Sequence, residues 1–598
     1  MYLKKALKPS GRIYLTIVEK YRDPKDRKSK DRPVKVIGYA DEYLDKYEDP
    51  VKHFKELAKK MTQEASVEKK KKLITKIIDL DEELSISDTE EKNLGYGFIK
   101  HIYKELEIDK FFKKKLEKED TKLEVEKIFE LLVFSRIINP GSKKYSYENK
   151  DFFFEKFDGF KLDDVYRALD IITKYDEELQ RWIYDHSVTI YKRDLSATYF
   201  DCTNYYYDVS SPDEDEIDDE GNLLLKRYRK YGPEKNHRKD PIVELGLLMD
   251  GSGIPLSYGL FPGNESEKVH MLPIIKKAKI NFGFQRTIVV ADRGLNTSDN
   301  IYYLNGKNSS DNNQMDGYVY GQSIRSADKE FKDWCINPKG YEDTIIEENG
   351  STITFRHKSR IYPKKISVNV NINGETKKKT ITVDQKQMVY YSEKYAKKQS
   401  LEREKSINRA KDLIAHPKKY DRVSAKGASG YVRNIAYNEE TGEIVSINLK
   451  LDEEKIEEEK KYDGYYSIVT SELKMDDIRL REVYRGLAKI EETFKITKSE
   501  LDTRPIYVTT NPHIEAHFTT CFTAIVLLRL LQNRLDNKYP AHQIINSLKK
   551  YRCIPEEKNI YRILSSDEIL IECGKIFGSQ DTTKKYRSRE EIRRFLKY

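Results

Sequence analysis

The chain has 598 residues, 35% of them charged and 38% hydrophobic, so it has room for several domains and a strongly hydrated surface. Its 110 Lys and Arg exceed its 101 Asp and Glu by nine, which alone is weak evidence for nucleic acid. Five scattered cysteines without a CxxC pair indicate neither a disulfide framework nor a zinc site, and they fit a reducing cytoplasm. No apolar signal core opens the chain, and its most apolar run, near 521–531, is interrupted by Arg529. The composition therefore gives no indication of a membrane protein.

Residues 1–70 are predicted to form a small β unit followed by a helix. The runs RIYLTIVEK and PVKVIGY are rich in β-branched and aromatic residues, and a charged turn joins them. Residues 92–195 then give several amphipathic helices with Lys-rich exposed faces. This pattern is compatible with a helical DNA-binding domain, and equally with a plain helical bundle that carries solubilising lysines.

At Ala197 the periodicity changes to that of strands. ATYFDCTNYYYDVS, IVELGLLM and residues 254–261 are β-rich runs, and an Asp-Gly-Ser-Gly turn joins the last two. A helix is predicted over about 269–278, and TIVVA is typical of a strand buried on both faces. Asp201 lies in the first of these strands and Asp292 directly follows the last. From the residues alone, each aspartate is also explained as an ordinary strand-end or turn residue.

Two charged segments lie between the first two core strands: an acidic segment, DEDEIDDE (213–220), and a basic arm, KRYRKYGPEKNHRK (226–239). One interpretation is a solvated hairpin whose opposite charges partly neutralise each other. The other is that the arm contacts DNA phosphates while the acidic tip stays outside. The candidate contacts of the arm are Lys226, Arg227, Arg229, Lys230, Lys235 and Arg238.

Residues 321–460 are far more than a crossover between core elements needs, and they are predicted to be a β-rich insertion domain. Residues 461–535 return to the core as a strand over 463–470, a helix over 482–501 and an amphipathic helix over 511–534. Residues 536–598 are predicted to be a helical tail.

The helix over 482–501, EVYRGLAKIEETFKITKSEL, is predicted to have two stripes at 100° per residue. The buried stripe consists of Leu487, Ile490, Phe494 and Leu501. A second stripe, about 70° round the helix, consists of Tyr484, Glu491 and Lys498, which are spaced seven residues apart. At this border a carboxylate is held by the core and still faces a cleft, whereas Glu492 is expected to point to solvent. An ordinary polar flank of an amphipathic helix is the alternative.

The second stripe resembles the signature Tyr-x2-Arg-x3-Glu-x6-Lys of DDE transposases from bacterial insertion sequences. TYFDCT resembles the strand of the first catalytic Asp in that family, and VVADRGL is similar to its second motif. The stretch that ends in FPGN resembles the family segment between them. The likeness covers about 95–320 and 460–535. Leu487 stands where the family has Arg, and Arg485 or Lys489 is the nearest candidate to supply that cation.

The resemblance implies an α/β protein with an RNase H-like catalytic core, a mixed sheet with flanking helices over 196–320 and 461–535. The insertion domain interrupts this core, and the β unit and the helical DNA-binding domain precede it. Asp201, Asp292 and Glu491 would hold two Mg²⁺ ions, with Mn²⁺ able to substitute, because such ions take hard oxygen ligands and two of them promote phosphodiester chemistry. Tyr484 and Lys498 would contact DNA.

We therefore expect a transposase that binds the terminal inverted repeats of a mobile element and catalyses metal-dependent DNA cleavage and strand transfer. The family implies double-stranded transposon-end and target DNA as partners, a homodimer in a synaptic complex, and a cytoplasmic, nucleoid-associated location. Two alternatives remain: a domesticated, catalytically silent DNA-binding protein, and an RNase H-like nuclease without strand transfer.

Overall fold

The computed structural model describes residues 1–22, 29–69, 91–117, 119, 121–233, 240–283, 286–305, 316–348, 350–372, 375–416, 431–434, 449–578 and 581–597. The chain divides into two compact units, Met1–Asp88 and Thr89–Tyr598. We call them unit 1 and unit 2 and describe each by itself.

Unit 1 is a three-stranded antiparallel sheet followed by one long helix. Its elements are β1 (Tyr2–Leu7), β2 (Ile13–Arg22), β3 (Ser29–Tyr39) and α1 (Pro50–Lys69). The strands lie in the order β1-β2-β3, and α1 packs on one face of the sheet. The sequence pattern predicts β2, β3 and α1 but not β1, whose run YLKKAL is short and contains two lysines among its six residues.

Unit 2 begins with a short strand and a group of helices: β4 (Lys92–Asn93), α2 (Tyr96–Glu105), α3 (Ile108–Leu116), α4 (Val125–Ile138), α5 (Lys143–Glu148), α6 (Leu162–Lys174) and α7 (Asp176–Ile190). Their apolar residues belong to one core that also contains residues of the following strands and of the C-terminal helices. These helices are therefore part of the larger folded body of unit 2.

The next elements form the centre of the protein: β5 (Thr198–Tyr206), β6 (Glu216–Ile217), β7 (Leu223–Leu225), β8 (Ile242–Asp250), β9 (Pro255–Pro262), α8 (Met271–Phe282), β10 (Ile288–Ala291), α9 (Ser298–Leu304) and β11 (Gly317–Gln322). β5, β8 and β9 form an antiparallel meander. β10 then pairs in parallel with β5 on one side and with β11 on the other. The strand order β9-β8-β5-β10-β11 makes this a mixed α/β sheet.

The long connection that follows contains α10 (Lys329–Ile336), β12 (Glu342–Glu348), β13 (Ser351–Ile372), β14 (Glu375–Tyr391), α11 (Glu393–Ala415), β15 (Val432–Asn434), β16 (Leu449–Leu451), α12 (Glu453–Lys460) and β17 (Tyr465–Thr470). β17 pairs with both β11 and β14. The strands of the predicted insertion therefore extend the central sheet to nine strands, in the order β12-β13-β14-β17-β11-β10-β5-β8-β9.

The chain ends with α13 (Asp477–Arg485), α14 (Leu487–Lys495), α15 (Asn511–Arg534), α16 (Ala541–Lys550), β18 (Arg552–Pro555), β19 (Ile560–Ile563), α17 (Glu568–Ile576), β20 (Tyr586–Ser588) and α18 (Arg589–Lys597). The tail expected to be helical thus also contains three strands, which form a four-stranded sheet with β4. Among the described helices, α15 alone is long and apolar enough to cross a membrane, but 94% of its apolar window is buried within the protein.

Candidate active site

Two aspartates lie on neighbouring parallel strands in the middle of the nine-stranded sheet. Asp201 is the fourth residue of β5, and Asp292 directly follows the last residue of β10. Val290 of β10 pairs with Tyr199 of β5. Continuing this register by two residues sets Asp292 beside Asp201, and neighbouring strands are about 4.8 Å apart. The two aspartates predicted from separate motifs are therefore neighbours across one strand pair.

Each of the two carboxylates is oriented by the backbone next to it. Asp201 is half-buried, and its Oδ1 accepts a hydrogen bond from the N–H of Cys202 at 2.8 Å. Asp292 is exposed, and its Oδ1 accepts a hydrogen bond from the N–H of Gly294 at 2.6 Å. The second bond caps the short 3-10 helix Arg293–Leu295 that begins where β10 ends. Both side chains are thus directed before any ligand is bound.

The helix predicted over 482–501 is divided into three parts. α13 ends at Arg485, α14 begins at Leu487, and a π-helical turn over Ile496–Glu500 completes the segment. The predicted buried stripe is confirmed, since its four members are between 0 and 9% exposed. π-helical turns occur often at functional sites, and this one contains Lys498.

Gly486, at the junction of α13 and α14, allows the helix to touch β5. A Cβ atom at this position would lie 2.1 Å from the hydroxyl oxygen of Tyr199, so a larger residue would force the helix or the ring to shift. Tyr199 and Asp201 are two residues apart and lie on the same face of β5. The beginning of α14 therefore approaches β5 next to Asp201.

The other end of this helical segment touches the same face of β5 further along. Lys498 donates a hydrogen bond from Nζ to the hydroxyl of Thr203, and the hydroxyl oxygens of Thr497 and Tyr205 are 2.7 Å apart. Thr203 and Tyr205 follow Asp201 at every second residue of β5 and therefore lie on the same face as Asp201. Asp201 thus lies between the two points at which the helix contacts β5, and α14 spans the interval between them.

Glu491 lies in the middle of α14 and is exposed. Over the described part of the chain it has no hydrogen-bond or ion-pair partner. Glu492 is held instead: Arg529 of α15 binds its carboxylate at 3.3 Å and also donates to the hydroxyl of Thr493 at 2.7 Å. Glu492 is exposed, as expected, but its carboxylate is paired with a side chain of α15. Of the two glutamates, Glu491 is the one with an available carboxylate.

Tyr484 reaches the strand ends on the Asp292 side. A Cβ atom at Gly321 of β11 would lie 2.4 Å from the Tyr484 hydroxyl oxygen and 3.3 Å from the backbone nitrogen of Arg293. The Tyr484 side chain is buried, and burial, Tyr466 and the charge of Asp292 together raise its pKa above the usual range. Tyr484 and Lys498 thus lie on either side of Glu491 along the second stripe.

An open cleft lies beside Tyr484. Its lining is rich in tyrosine and arginine, including Arg293, Arg325, Tyr395, Tyr466 and Tyr484. Aromatic rings and guanidinium groups next to a carboxylate-bearing strand end suit a nucleic-acid strand better than an apolar small molecule.

The cations proposed to replace the missing arginine have internal partners. Arg485 forms an ion pair with Glu348 of β12 at 2.6 Å, and it is half-exposed. Lys489 donates from Nζ to the carbonyl oxygen of Gly251 at 2.6 Å. Leu487, where the family has arginine, is buried. DNA would therefore have to compete with these internal contacts to reach either cation.

The basic arm lies against the acidic segment. Each of the four described cations of the arm that were predicted to bind phosphate has a carboxylate partner, and Lys230, for example, lies 2.8 Å from Asp215. The other three pairs are Arg227–Glu216, Arg229–Asp213 and Lys226–Glu265. Lys235 and Arg238 lie outside the described residues. This geometry resembles the charge-neutralised hairpin that the sequence leaves open as an alternative.

No group of three His, Cys, Asp or Glu side chains within the described ranges is assembled closely enough to hold a metal ion. Asp201, Asp292 and Glu491 share one region of the fold but are not drawn together as ligands. The chemistry of the set nevertheless suits a hard divalent cation, since it consists of carboxylates only. All five cysteines are buried and form no disulfide bond, and none of them belongs to a group within the described ranges that could hold a different metal.

Sequence reasoning missed two positions that shape this site. Gly486 sets the distance between α14 and β5. Arg529 fixes the rotation of α14 about its axis, because it binds Glu492 and Thr493, the two residues that follow Glu491. A signal for Arg529 was present, because it is the charged residue that interrupts the apolar run of α15. A buried arginine in such a run requires hydrogen-bond acceptors.

Two known families match parts of the chain. "IS1634 family transposase, N-terminal domain" matches residues 3–71, and "Transposase DDE domain" matches residues 219–527. The second match covers 309 of the 598 residues, and it includes Asp292 and Glu491 but begins after Asp201. No curated protein is significantly similar to the chain.

Proposed function

The chain belongs to the DDE transposases of insertion sequences, and we propose that it binds the terminal inverted repeats of its element and catalyses DNA cleavage and strand transfer there. The observation that carries this proposal is the continued register of β5 and β10, which makes Asp292 the neighbour of Asp201. α14 lies across the same face of β5 and presents Glu491. Three carboxylates from three elements then lie in one region of the fold.

We assign Asp201, Asp292 and Glu491 as the residues that would hold two Mg²⁺ ions, with Mn²⁺ as a substitute. Asp201 on β5, Asp292 after β10 and Glu491 on α14 would together hold the ions. When bound, such a pair of ions activates the attacking oxygen and stabilises the leaving oxygen of a phosphodiester. In the protein itself, backbone N–H groups orient two of the three carboxylates. The three carboxylates would still have to move closer together to share the ions, since they are not assembled as ligands in this structure.

The flanking residues of the second stripe would position the DNA strand. Lys498 lies about two helical turns from Glu491, and its ammonium could exchange Thr203 for a phosphate oxygen. Tyr484 and the arginines of the cleft would hold the strand on the Asp292 side by hydrogen bonds and stacking. These groups bind and orient the DNA, and the carboxylates are reserved for the metal ions.

The test uses the full-length protein and a labelled duplex that carries the end of the element. With Mg²⁺ we expect nicks at the boundary of the element and, with added target DNA, joined products. Nicks without joined products would favour the RNase H-like nuclease. Tight end binding with neither product would favour the catalytically silent DNA-binding protein.

Two further expectations belong to the same proposal. The protein would act as a homodimer in a synaptic complex with two element ends, which crosslinking of the protein–DNA complex would detect. It would work in the cytoplasm close to the nucleoid, where its double-stranded DNA partners are found.

A further inference from the structure

The sheet of unit 1 has one covered face and one open face. Leu15 and Ile17 of β2 and Ile37 of β3 point towards α1, where they pack with Phe54 and Ala58. These five apolar residues form the small core of the unit. Successive side chains of a strand point to opposite faces, so the residues that alternate with this set form the other face.

The open face is lined by aromatic side chains from all three strands. Tyr14 of β2 pairs with Tyr39 of β3, and their rings are in edge-to-face contact with centroids 5.0 Å apart. Tyr2 of β1 is on the same face, since it pairs with Val18, and it is 38% exposed. Val36 pairs with Thr16 and is 61% exposed. This face therefore presents rings and an aliphatic side chain to its surroundings.

Cations cover the rings of this face. Lys8 Nζ lies 5.0 Å from the ring centre of Tyr14, the Arg12 guanidinium 3.9 Å from that of Tyr39, and Lys20 Nζ 5.8 Å from that of Tyr2. The carboxylates nearby are few: Asp31 binds Lys4 and Tyr2, and Asp41 and Glu42 bind Arg12. The open face thus combines positive charge with flat apolar surface.

Most of the net positive charge of the chain belongs to the segment that contains these three strands. Residues 1–40 contain 12 Lys and Arg against four Asp and Glu, a net charge of +8, and the full chain has a net charge of only +9. Residues 41–69, which include α1, contain six Lys against eight Asp and Glu, a net charge of −2. Positive potential therefore belongs to the sheet side of unit 1 and not to its helix side.

We propose that the open face of this sheet, lined by Tyr2, Lys4, Lys8, Arg12, Tyr14, Lys20, Val36 and Tyr39, is a binding surface for duplex DNA. Three strands about 4.8 Å apart place the outer strands roughly 10 Å from each other, and the major groove is about 12 Å wide. Sheets are known to dock in this groove. The cations also occupy the ring faces, which favours phosphate contacts over the base stacking that single strands need. The inference deepens the proposed function, because it places recognition of the element ends in unit 1.

The test compares two triple variants of the full-length protein in salt-dependent binding to a labelled end duplex. Lys8→Ala, Arg12→Ala and Lys20→Ala together remove three charges from the open face. Each phosphate contact contributes about 0.9 to the log–log slope against salt, so we expect the slope to fall by about 2 to 3 and the affinity to fall at least tenfold. The matched control, Lys52→Ala, Lys55→Ala and Lys59→Ala, removes three exposed charges from α1. It should change the salt slope and the affinity by no more than a third of the change expected for the sheet variant.

Equal effects of the two triple variants, or none from the sheet variant, would overturn the proposal. Because Arg12 also contacts Tyr39, Asp41 and Glu42, a second variant with Lys8→Glu and Lys20→Glu keeps it and tests the face without that risk to folding. Competition with a single strand of the same sequence distinguishes the duplex from the single strand as the preferred ligand. A single strand that competes better than the duplex would also count against the proposal.

Failure of this inference is distinguishable from failure of the proposed function. The sheet variants should still cleave the end duplex at low salt and saturating protein concentration, because they leave unit 2 unchanged. A wild-type protein that binds ends through the sheet but never cleaves would refute the enzymatic proposal and leave this one standing.

Discussion

Gly486 offers a sharp test of how α14 positions Glu491. Its backbone (φ −57°, ψ −17°) is ordinary helical geometry that alanine adopts without strain. The only obstacle to Gly486→Ala is therefore steric, since the new Cβ atom would lie 2.1 Å from the Tyr199 hydroxyl oxygen and 2.3 and 2.6 Å from two ring carbons. Tyr199 is 5% exposed and belongs to the core, so its ring has little room to move.

The size of the effect follows from these distances. Ordinary contact begins at 3.4 Å, so the helix and the strand must separate by about 1.3 Å. Overpacking of this kind costs about 1–3 kcal/mol, and the better helix propensity of alanine returns up to about 1 kcal/mol. A displacement of about 1 Å at a catalytic group reduces turnover by about 100-fold. We therefore expect a net loss of about 0–3 kcal/mol in stability together with a loss of about two orders of magnitude in cleavage.

The assay is single-turnover cleavage of a labelled end duplex, measured beside the thermal unfolding of each variant. Gly486→Ala combined with Tyr199→Leu removes the clashing ring and should recover part of the cleavage rate, as expected for residues in direct contact. Ala488→Leu adds bulk to the exposed side of the same helix and should cleave normally. Full activity of Gly486→Ala would show that the approach of α14 to β5 does not position Glu491.

The variants Asp201→Asn, Asp292→Asn and Glu491→Gln should each abolish cleavage and leave end binding largely intact, because each removes a metal ligand. Glu492→Gln should keep measurable activity. An inactive Glu492→Gln protein beside an active Glu491→Gln protein would reverse the assignment of the third ligand. Lys498→Ala should weaken end binding with the Mg²⁺ dependence of cleavage little changed, and a large shift of the Mg²⁺ midpoint at unchanged DNA affinity would contradict this role. Alanine at the four paired cations of the basic arm, 226–230, should lower the salt slope of binding by about 3 to 4 if the arm contacts phosphate, and an unchanged slope would identify it as a solvated hairpin.

Local patterns in the sequence predict much of the central fold. The stripe of Leu487, Ile490, Phe494 and Leu501 is buried because a period of 3.6 residues places these side chains on one helix face. The apolar run TIVVA becomes β10, a strand with neighbours on both sides. From such runs Asp201 is assigned to a strand and Asp292 to the end of another, and their adjacency then follows from the parallel pairing. What the patterns predict is the type of each element.

The features that the sequence patterns do not predict depend on contacts between distant segments or on very short elements. The insertion joins the central sheet because β14 pairs with β17, and a pairing between distant segments leaves no local pattern. The strands of the tail are three or four residues long, too short for a clear alternation. The close approach at Gly486 involves Tyr199, nearly 290 residues earlier in the chain. The rotation of α14 depends on Arg529, whose partners are likewise supplied by tertiary packing.

The cations beside Glu491 have a consequence for how DNA would bind. Arg485 binds Glu348, Lys489 binds a carbonyl oxygen, and Lys498 binds the hydroxyl of Thr203. A phosphate must replace each of these partners, so the net gain per contact is smaller than for a cation that is only hydrated. Such contacts hold the side chains in place, so they would help to position a DNA strand more than they would increase the affinity for it. We therefore expect most of the affinity to come from other surfaces, and the sheet of unit 1, with nearly all of the net positive charge of the chain, is the one best suited to supply it.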